Sequence, residues 1–349
     1  LDLDGYSNAI GALAGTGAVT LGGGTLTVGA RGDSTTFAGE ISGVGGLTKD
    51  GLGTLTLSGA NTYTGATTIN AGTLTLGAPS ALPAGTAVNV AQGATLALAG
   101  ISRTISSLSG GGAVTLGNAT LTIDTAGGAA PFAGEISGSG ALEKIGAGTF
   151  TLHGSNGATG GMTIAGGTVV LGSSGDPGAT TVMAGGALDL DGHTRALGNL
   201  TLAGGTIQNG ALALGSSLQL TTGTVSASLV GSSGLTKTGG GTLTLSGANT
   251  YSGSTTIDGG TLAVATGGAI AHAFANIGVG NSTTAELAIT GGNVTAFGVD
   301  LGLGGGAGTL SMTGGTLTTV EIARHSLASD ASFDGGTLRA ANNTNLLLN

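Results

Sequence analysis

The sequence predicts an all-β chain wound as a right-handed parallel β-helix, a β-solenoid. Three observations carry that prediction: segments recur at long and even intervals, apolar residues alternate with threonine inside them, and glycine-rich turns separate the alternating strings. The segment GLTKDGLGTLTLSGANTYTGATTINAGTLTLG from Gly46 returns as ALEKIGAGTFTLHGSNGATGGMTIAGGTVVLG from Ala141 and GLTKTGGGTLTLSGANTYSGSTTIDGGTLAVA from Gly234. Landmarks keep step across the copies: Lys49, Lys144 and Lys237; Asn61, Asn156 and Asn249; Ile69, Ile164 and Ile257; Gly72, Gly167 and Gly260. The interval of roughly 93 to 95 residues exceeds one supersecondary unit, so each copy comprises several smaller elements. FAGEISG at 37–43 and 132–138 repeats in the same frame, and LDLDG at 1–5 and 188–192 answers LALAG at 96–100.

The smaller elements are strings of period two: TLTL at 54–57, 73–76 and 242–245, TLAL at 95–98 and TLTI at 120–123. This alternation puts Leu and Ile on one strand face and Thr on the other. Between the strings lie GGG at 22–24, SGAN at 58–61 and NAGT at 70–73, all turn chemistry. The two TLTL strings at 54 and 73 stand about 19 residues apart, one turn of a solenoid. In such a fold, aliphatic residues stack on their counterparts in the next coil while backbone groups pair coil to coil about 4.8 Å apart. Coils of roughly 20 to 23 residues would number about 15 to 17. The 76 glycines would suit a disordered chain, but aliphatic alternation throughout and only 7% charged residues argue against it. Residues 1–266 read as the long superrepeat. Residues 267–349 read as a continuation of the β-helix with a second, shorter repeat: ITGGNVT at 289–295, MTGGTLT at 312–318 and FDGGTLR at 333–339.

Composition narrows the chemistry. The absence of cysteine excludes disulfides, thiolate metal sites and a cysteine nucleophile. A net charge of −9 disfavours nucleic acid and anionic membrane surfaces as partners. No run reaches the length of a membrane span and no signal peptide is evident, so membrane insertion by this segment is not expected. Leu1 stands inside a repeat element, which reads as a piece of a longer chain.

The string GxGTLTLSGxNTYxGxTTIxxGTL at 51–74 and 239–262 resembles the autotransporter-associated β-strand repeat, or passenger-associated transport repeat, of Gram-negative autotransporters. The middle copy is looser, with Phe150, His153, Gly157, Ala158 and Met162 in place of the usual residues. The resemblance implies a right-handed parallel β-helix displayed outside the outer membrane and anchored through a C-terminal barrel beyond these residues. It also implies an adhesin, aggregation factor, stalk or protease-bearing passenger. Expected partners are host cell-surface or matrix proteins, or further copies of the same protein. The alternative is a spacer and export module for an enzymatic domain lying elsewhere. The lack of cysteines fits export of an unfolded chain through an oxidising periplasm.

Candidate sites are few. Arg31-Gly32-Asp33 reads either as an integrin-type receptor contact or as a plain solvated turn. Gly32-Asp33-Ser34 brushes against the nucleophile context of serine-protease autotransporters, but Thr35 and Thr36 follow where glycine is wanted. Asp189 and Asp191 share a strand face with His193 just beyond, which reads as a divalent-cation site or as a solvated acidic pair; Asp2 and Asp4 repeat the pair, Ala97 and Ala99 do not. Cofactor or metal dependence is not expected, nor is catalysis. Lys49, Lys144 and Lys237 read as coil-edge charges pairing with acids such as Glu40 and Glu135. Asn61, Asn156 and Asn249 suit turns in which the amide bonds to local backbone, and Tyr63 and Tyr251 suit corner packing. Threonines of the TLT triplets at 25–27, 54–56, 73–75, 120–122, 242–244 and 316–318 raise an ice-binding array as a further reading, against ordinary solvent-facing strand threonine.

Overall fold

The computed structural model describes residues 1–128, 130–172, 175–215, 218–272 and 275–341, and the backbone of 347–348. Among these residues there is no α-helix, and each paired strand lies parallel to its neighbours. The fold is a β-solenoid, with compact units Leu1–Thr180 and Thr181–Asn349.

In the first unit, one parallel sheet takes a strand from successive coils: Asn8–Ile10, Leu26–Val28, Leu47–Lys49, Thr67–Ile69, Ala87–Val90 and Ser107–Gly110. Leu26 pairs with Leu47, Leu47 with Thr67, Thr67 with Val88 and Val88 with Leu108, so one coil separates each residue from its partner. A second sheet contains Thr35–Phe37, Thr54–Leu57, Thr73–Leu76, Thr95–Ala97, Ala113–Thr115, Ile136–Gly138 and Asn156–Ala158. Its central row is Leu55, Leu74, Leu96, Val114 and Ile136, all buried. Thr54, Thr56, Thr73 and Thr75 stand on the outer side of the same strands, partly exposed. Strands of two to five residues have no independent stability. What holds them is the stack: each inward aliphatic side chain contributes about 1.5–3 kcal/mol of burial, made against the coils on either side.

The second unit repeats the principle with longer strands. Leu235–Lys237, Thr255–Ile257, Ile277–Val279, Gly298–Leu301 and Glu321–Arg324 form one sheet. Another contains Thr242–Leu245 and Gly260–Val264, followed by Ala285–Ala296, Gly308–Thr319 and Asp330–Ala340. The last three are 12, 12 and 11 residues long and contain the ITGGNVT, MTGGTLT and FDGGTLR strings. Register shifts fall at the Thr-Gly-Gly or Asp-Gly-Gly step of each string, so the strand bends there without ending.

Glycine does two jobs at the corners. Gly51 and Gly72 have φ of 67° and 65°, the left-handed region that glycine enters without steric cost. Elsewhere the reason is proximity: a Cβ on Gly39 would lie 1.9 Å from the carbonyl oxygen of Gly17, and one on Gly59 equally close to that of Gly39. Gly134 and Gly154 repeat this contact in the next superrepeat, at 1.7 Å. These glycines form spines along which successive corners nest.

Candidate binding surface

Three landmark residue types prove to be interior. Lys49, Lys144 and Lys237 are 1%, 0% and 0% exposed, which overturns their reading as coil-edge charges. The Lys49 Nζ donates to the carbonyls of Asp50 at 2.8 Å, Gly51 at 2.7 Å and, one coil on, Ala71 at 3.1 Å. Lys144 donates to Ile145, Gly146 and Gly166, and Lys237 to Thr238, Gly239 and Gly259. Glu40, the proposed partner of the first, instead accepts a bond from the Thr62 hydroxyl at 2.7 Å. The physical reason is that corner carbonyls converge where no strand N–H reaches them, and an ammonium supplies three donors to one point. Desolvation lowers the pKa of all three amines, and Asp50 and Asp124 oppose that shift at Lys49 and Lys144.

Asn61, Asn156 and Asn249 are likewise buried, and they bond mainly across coils. The Ile41 N–H donates to Asn61 Oδ1 at 2.8 Å, while Asn61 Nδ2 donates to the Ala81 carbonyl on the other side. Asn249 repeats the bridge between the Leu229 N–H and the Ala269 carbonyl. Tyr63 and Tyr251 are fully buried at corners, each with its hydroxyl 2.7 Å from a threonine, Thr67 and Thr255. One residue of this interior escaped the sequence reading. His272, 3% exposed, joins Thr255 and Tyr251, and the repeated Tyr-x3-Thr spacing was the available signal.

The outer surface carries the remaining candidates. Asp189 Oδ1 accepts from the Asp191 N–H at 2.8 Å and from Asn209 Nδ2 at 2.9 Å, and its Oδ2 accepts from Gln208 Nε2 at 3.1 Å. Asp191 has φ of 53° and begins the turn completed by Gly192. Asp2 and Asp4 repeat the bond and the dihedral, and Ala99 adopts the same φ of 52° without any carboxylate. The LxLxG string is therefore a turn motif in which the first Asp caps the N–H two residues on.

Arg31, Gly32 and Asp33 are exposed at a corner. The Gly32 N–H donates to the Gly29 carbonyl at 2.9 Å, and the Arg31 N–H to the Gly11 carbonyl of the preceding coil at 3.2 Å. The Arg31 side chain crosses Gly11, where any Cβ would lie 2.8 Å from its Nε. On the following coil, Ser34 Oγ accepts from the Thr54 N–H at 3.0 Å, and Leu52 projects at 87% exposure. The turn backbone is thus fixed from both sides. Of the TLT triplets, 54–56 and 73–75 stack directly, with Thr54 on Thr73 and Thr56 on Thr75. The triplet at 25–27 contributes to a different sheet, so these three do not compose one array.

The repeats decide the affiliation. Three segments, 47–76, 142–171 and 235–264, match the passenger-associated-transport-repeat family. The chain carries the repeats of an autotransporter passenger. Each matched stretch runs from a strand beside a cradled lysine, through the buried asparagine, to the strand one coil later, so the family pattern records the interior just described. The segment is also 37% identical over 162 residues to the adhesin BmaC autotransporter of Brucella suis biovar 1 (strain 1330). That match covers 44% of this chain and 4% of the relative, so the chain spans a small part of the curated protein's length. No solved structure matches it. The affiliation places the passenger segment at the bacterial cell surface. Among the described residues, no helix is long and apolar enough to cross a membrane.

Proposed function

We propose that the passenger segment is a non-enzymatic structural and adhesive surface whose contacts to a partner are made by corner turns and outward threonine faces. The observation that carries this reading is the division of labour across the wall of the solenoid. The recurring polar groups, Lys49, Asn61 and Tyr63, are consumed by internal hydrogen bonds, leaving outside a weakly charged, threonine-rich surface with projecting turns. Such a surface binds through shape and hydrogen bonding and offers little acid–base chemistry. The relative named as an adhesin supports it. The fixed corner at Arg31-Gly32-Asp33, with Leu52 beside it, favours that turn as one receptor contact, with host cell-surface or matrix proteins as partners.

Adhesion of the purified segment to host cells, and to bacteria carrying the same protein, tests the proposal. Binding to either surface supports it, and loss of host-cell binding in Asp33→Glu assigns the contact to the corner. Retained binding in that variant moves the contact to the threonine faces. No binding to either surface overturns adhesion and leaves a spacer and export module for an activity elsewhere in the protein.

A further inference from the structure

His272 closes a ring of hydrogen bonds inside the second unit. Its Nδ1 lies 3.2 Å from the Tyr251 carbonyl, its Nε2 lies 2.8 Å from Thr255 Oγ1, and that hydroxyl lies 2.7 Å from the Tyr251 hydroxyl. The rings of Tyr251 and His272 meet edge to face, with centroids 4.7 Å apart. A carbonyl only accepts, so Nδ1 carries the proton and Nε2 is the acceptor. Thr255 therefore donates to Nε2 and accepts from the Tyr251 hydroxyl. Every proton in the ring is assigned by this one neutral tautomer.

We propose that this ring is an acid-sensitive latch: protonation of His272 breaks it and opens the coil that holds Tyr251 and Thr255. A proton on Nε2 turns the acceptor into a donor aimed at Thr255 Oγ1, which already accepts from Tyr251, and the threonine's own hydrogen loses its place. The added charge is also uncompensated. The strands packed on Ala269–His272 are Ala248–Asn249, without titratable residues, and Ala285–Ala296, whose one acid, Glu286, accepts from Thr261 and Ser311. Nearby, Asp258 is bonded to Ser282, and Lys237 to its three carbonyls. Among the described residues, Tyr251 is the titratable group that touches the imidazole.

Desolvation lowers the His272 pKa, with the bond to the Tyr251 carbonyl opposing. A base whose folded pKa is depressed binds more protons when unfolded, so stability is full above about pH 6.5 and falls as pH drops below it. At pH 5 the opening equilibrium rises by at most about thirtyfold, the limit set by an unfolded imidazole of pKa ~6.5. The Tyr63–Thr67 pair of the first repeat has no imidazole on it and serves as an internal control.

Hydrogen exchange of the whole segment at pH 7.5 and pH 5, corrected for intrinsic rates, tests the latch. Amides of 251–257 and 269–272 are expected to open more at pH 5, while those of 63–69 stay unchanged. Equal responses in both stretches, or none in either, overturn the proposal. In His272→Gln, whose amide can donate to the Tyr251 carbonyl and accept from Thr255 without titrating, the response is expected to vanish. Should that variant not fold, the comparison of the two stretches still decides. His325 pairs with Asp300 at 3.1 Å, so His325→Gln is the second control: a response lost there and kept in His272→Gln overturns the latch.

Discussion

Leu55 and Lys49 show how differently two residues of one repeat advertise their place. Leu55 sits in a period-two string, its inward direction was legible, and it is 2% exposed. Replacing it by Asp puts a carboxylate in the stacked row, and chemical denaturation is expected to show a loss of about 4 kcal/mol or more. An unchanged midpoint would mean that this row does not carry the stack. Lys49 was read on the wrong side of the wall because an ammonium is rarely buried whole, and nothing local announces three carbonyls that converge only after the chain turns. Its recurrence at 144 and 237 showed that it mattered structurally, without showing how. Lys49→Met keeps the stem and removes the donors, leaving buried carbonyls unpaired. A loss of about 2–4 kcal/mol is expected from the same measurement, with little change in the outer surface. Tyr63 supplies a pH test of the interior. Burial pushes its hydroxyl up to about 12, partly offset by the bond to Thr67. An acid with a raised folded pKa keeps its proton longer when folded, so stability falls as pH rises from about 10 towards 12. Phenolate absorbance at this residue should therefore appear together with unfolding and not before it.

At the scale of the element, the strand strings were legible because side-chain direction in a strand alternates and burial follows it. The corners were only partly so. Gly39 and Gly59 look like any turn glycines in sequence, yet their role is contact with the carbonyl of the preceding corner, a relation between residues one coil apart. Gly59→Ala is expected to destabilise by about 2–3 kcal/mol even though φ there is ordinary, because backbone must move to admit the methyl. A shift below about 0.5 kcal/mol in a thermal or chemical melt would show that the corners are looser than this spacing. The LxLxG turn taught a similar lesson. Two carboxylates on alternate residues suggested a cation site, and the structure gives the first of them a further task, capping the Asp191 N–H at a turn where φ is 53°. A hydrogen-bonded turn and a metal site draw on the same residue types.

At the scale of the whole molecule, the weak charge and threonine-rich exterior make association a matter of surface contact. Sedimentation of the purified segment over a range of concentrations is expected to show reversible self-association if outward strand faces or exposed corner residues such as Leu52 pair between copies. A concentration-independent monomer would restrict the partners to other molecules. The architecture and its affiliation were the most legible parts of this protein, because a stacked fold writes its period into the chain. The partner was the least legible, since shape complementarity on a repetitive exterior leaves no residue signature.

The lysine cradle has a bearing on how far a single copy can stand on its own. Two of its three acceptors lie within two residues of the lysine, and the third belongs to Ala71, Gly166 or Gly259, in the coil that follows. A coil that has wound around its amine is therefore unfinished until its successor arrives. The third hydrogen of each ammonium finds its carbonyl only in that next coil, so every cradle ties two coils together and no copy satisfies its own lysine alone.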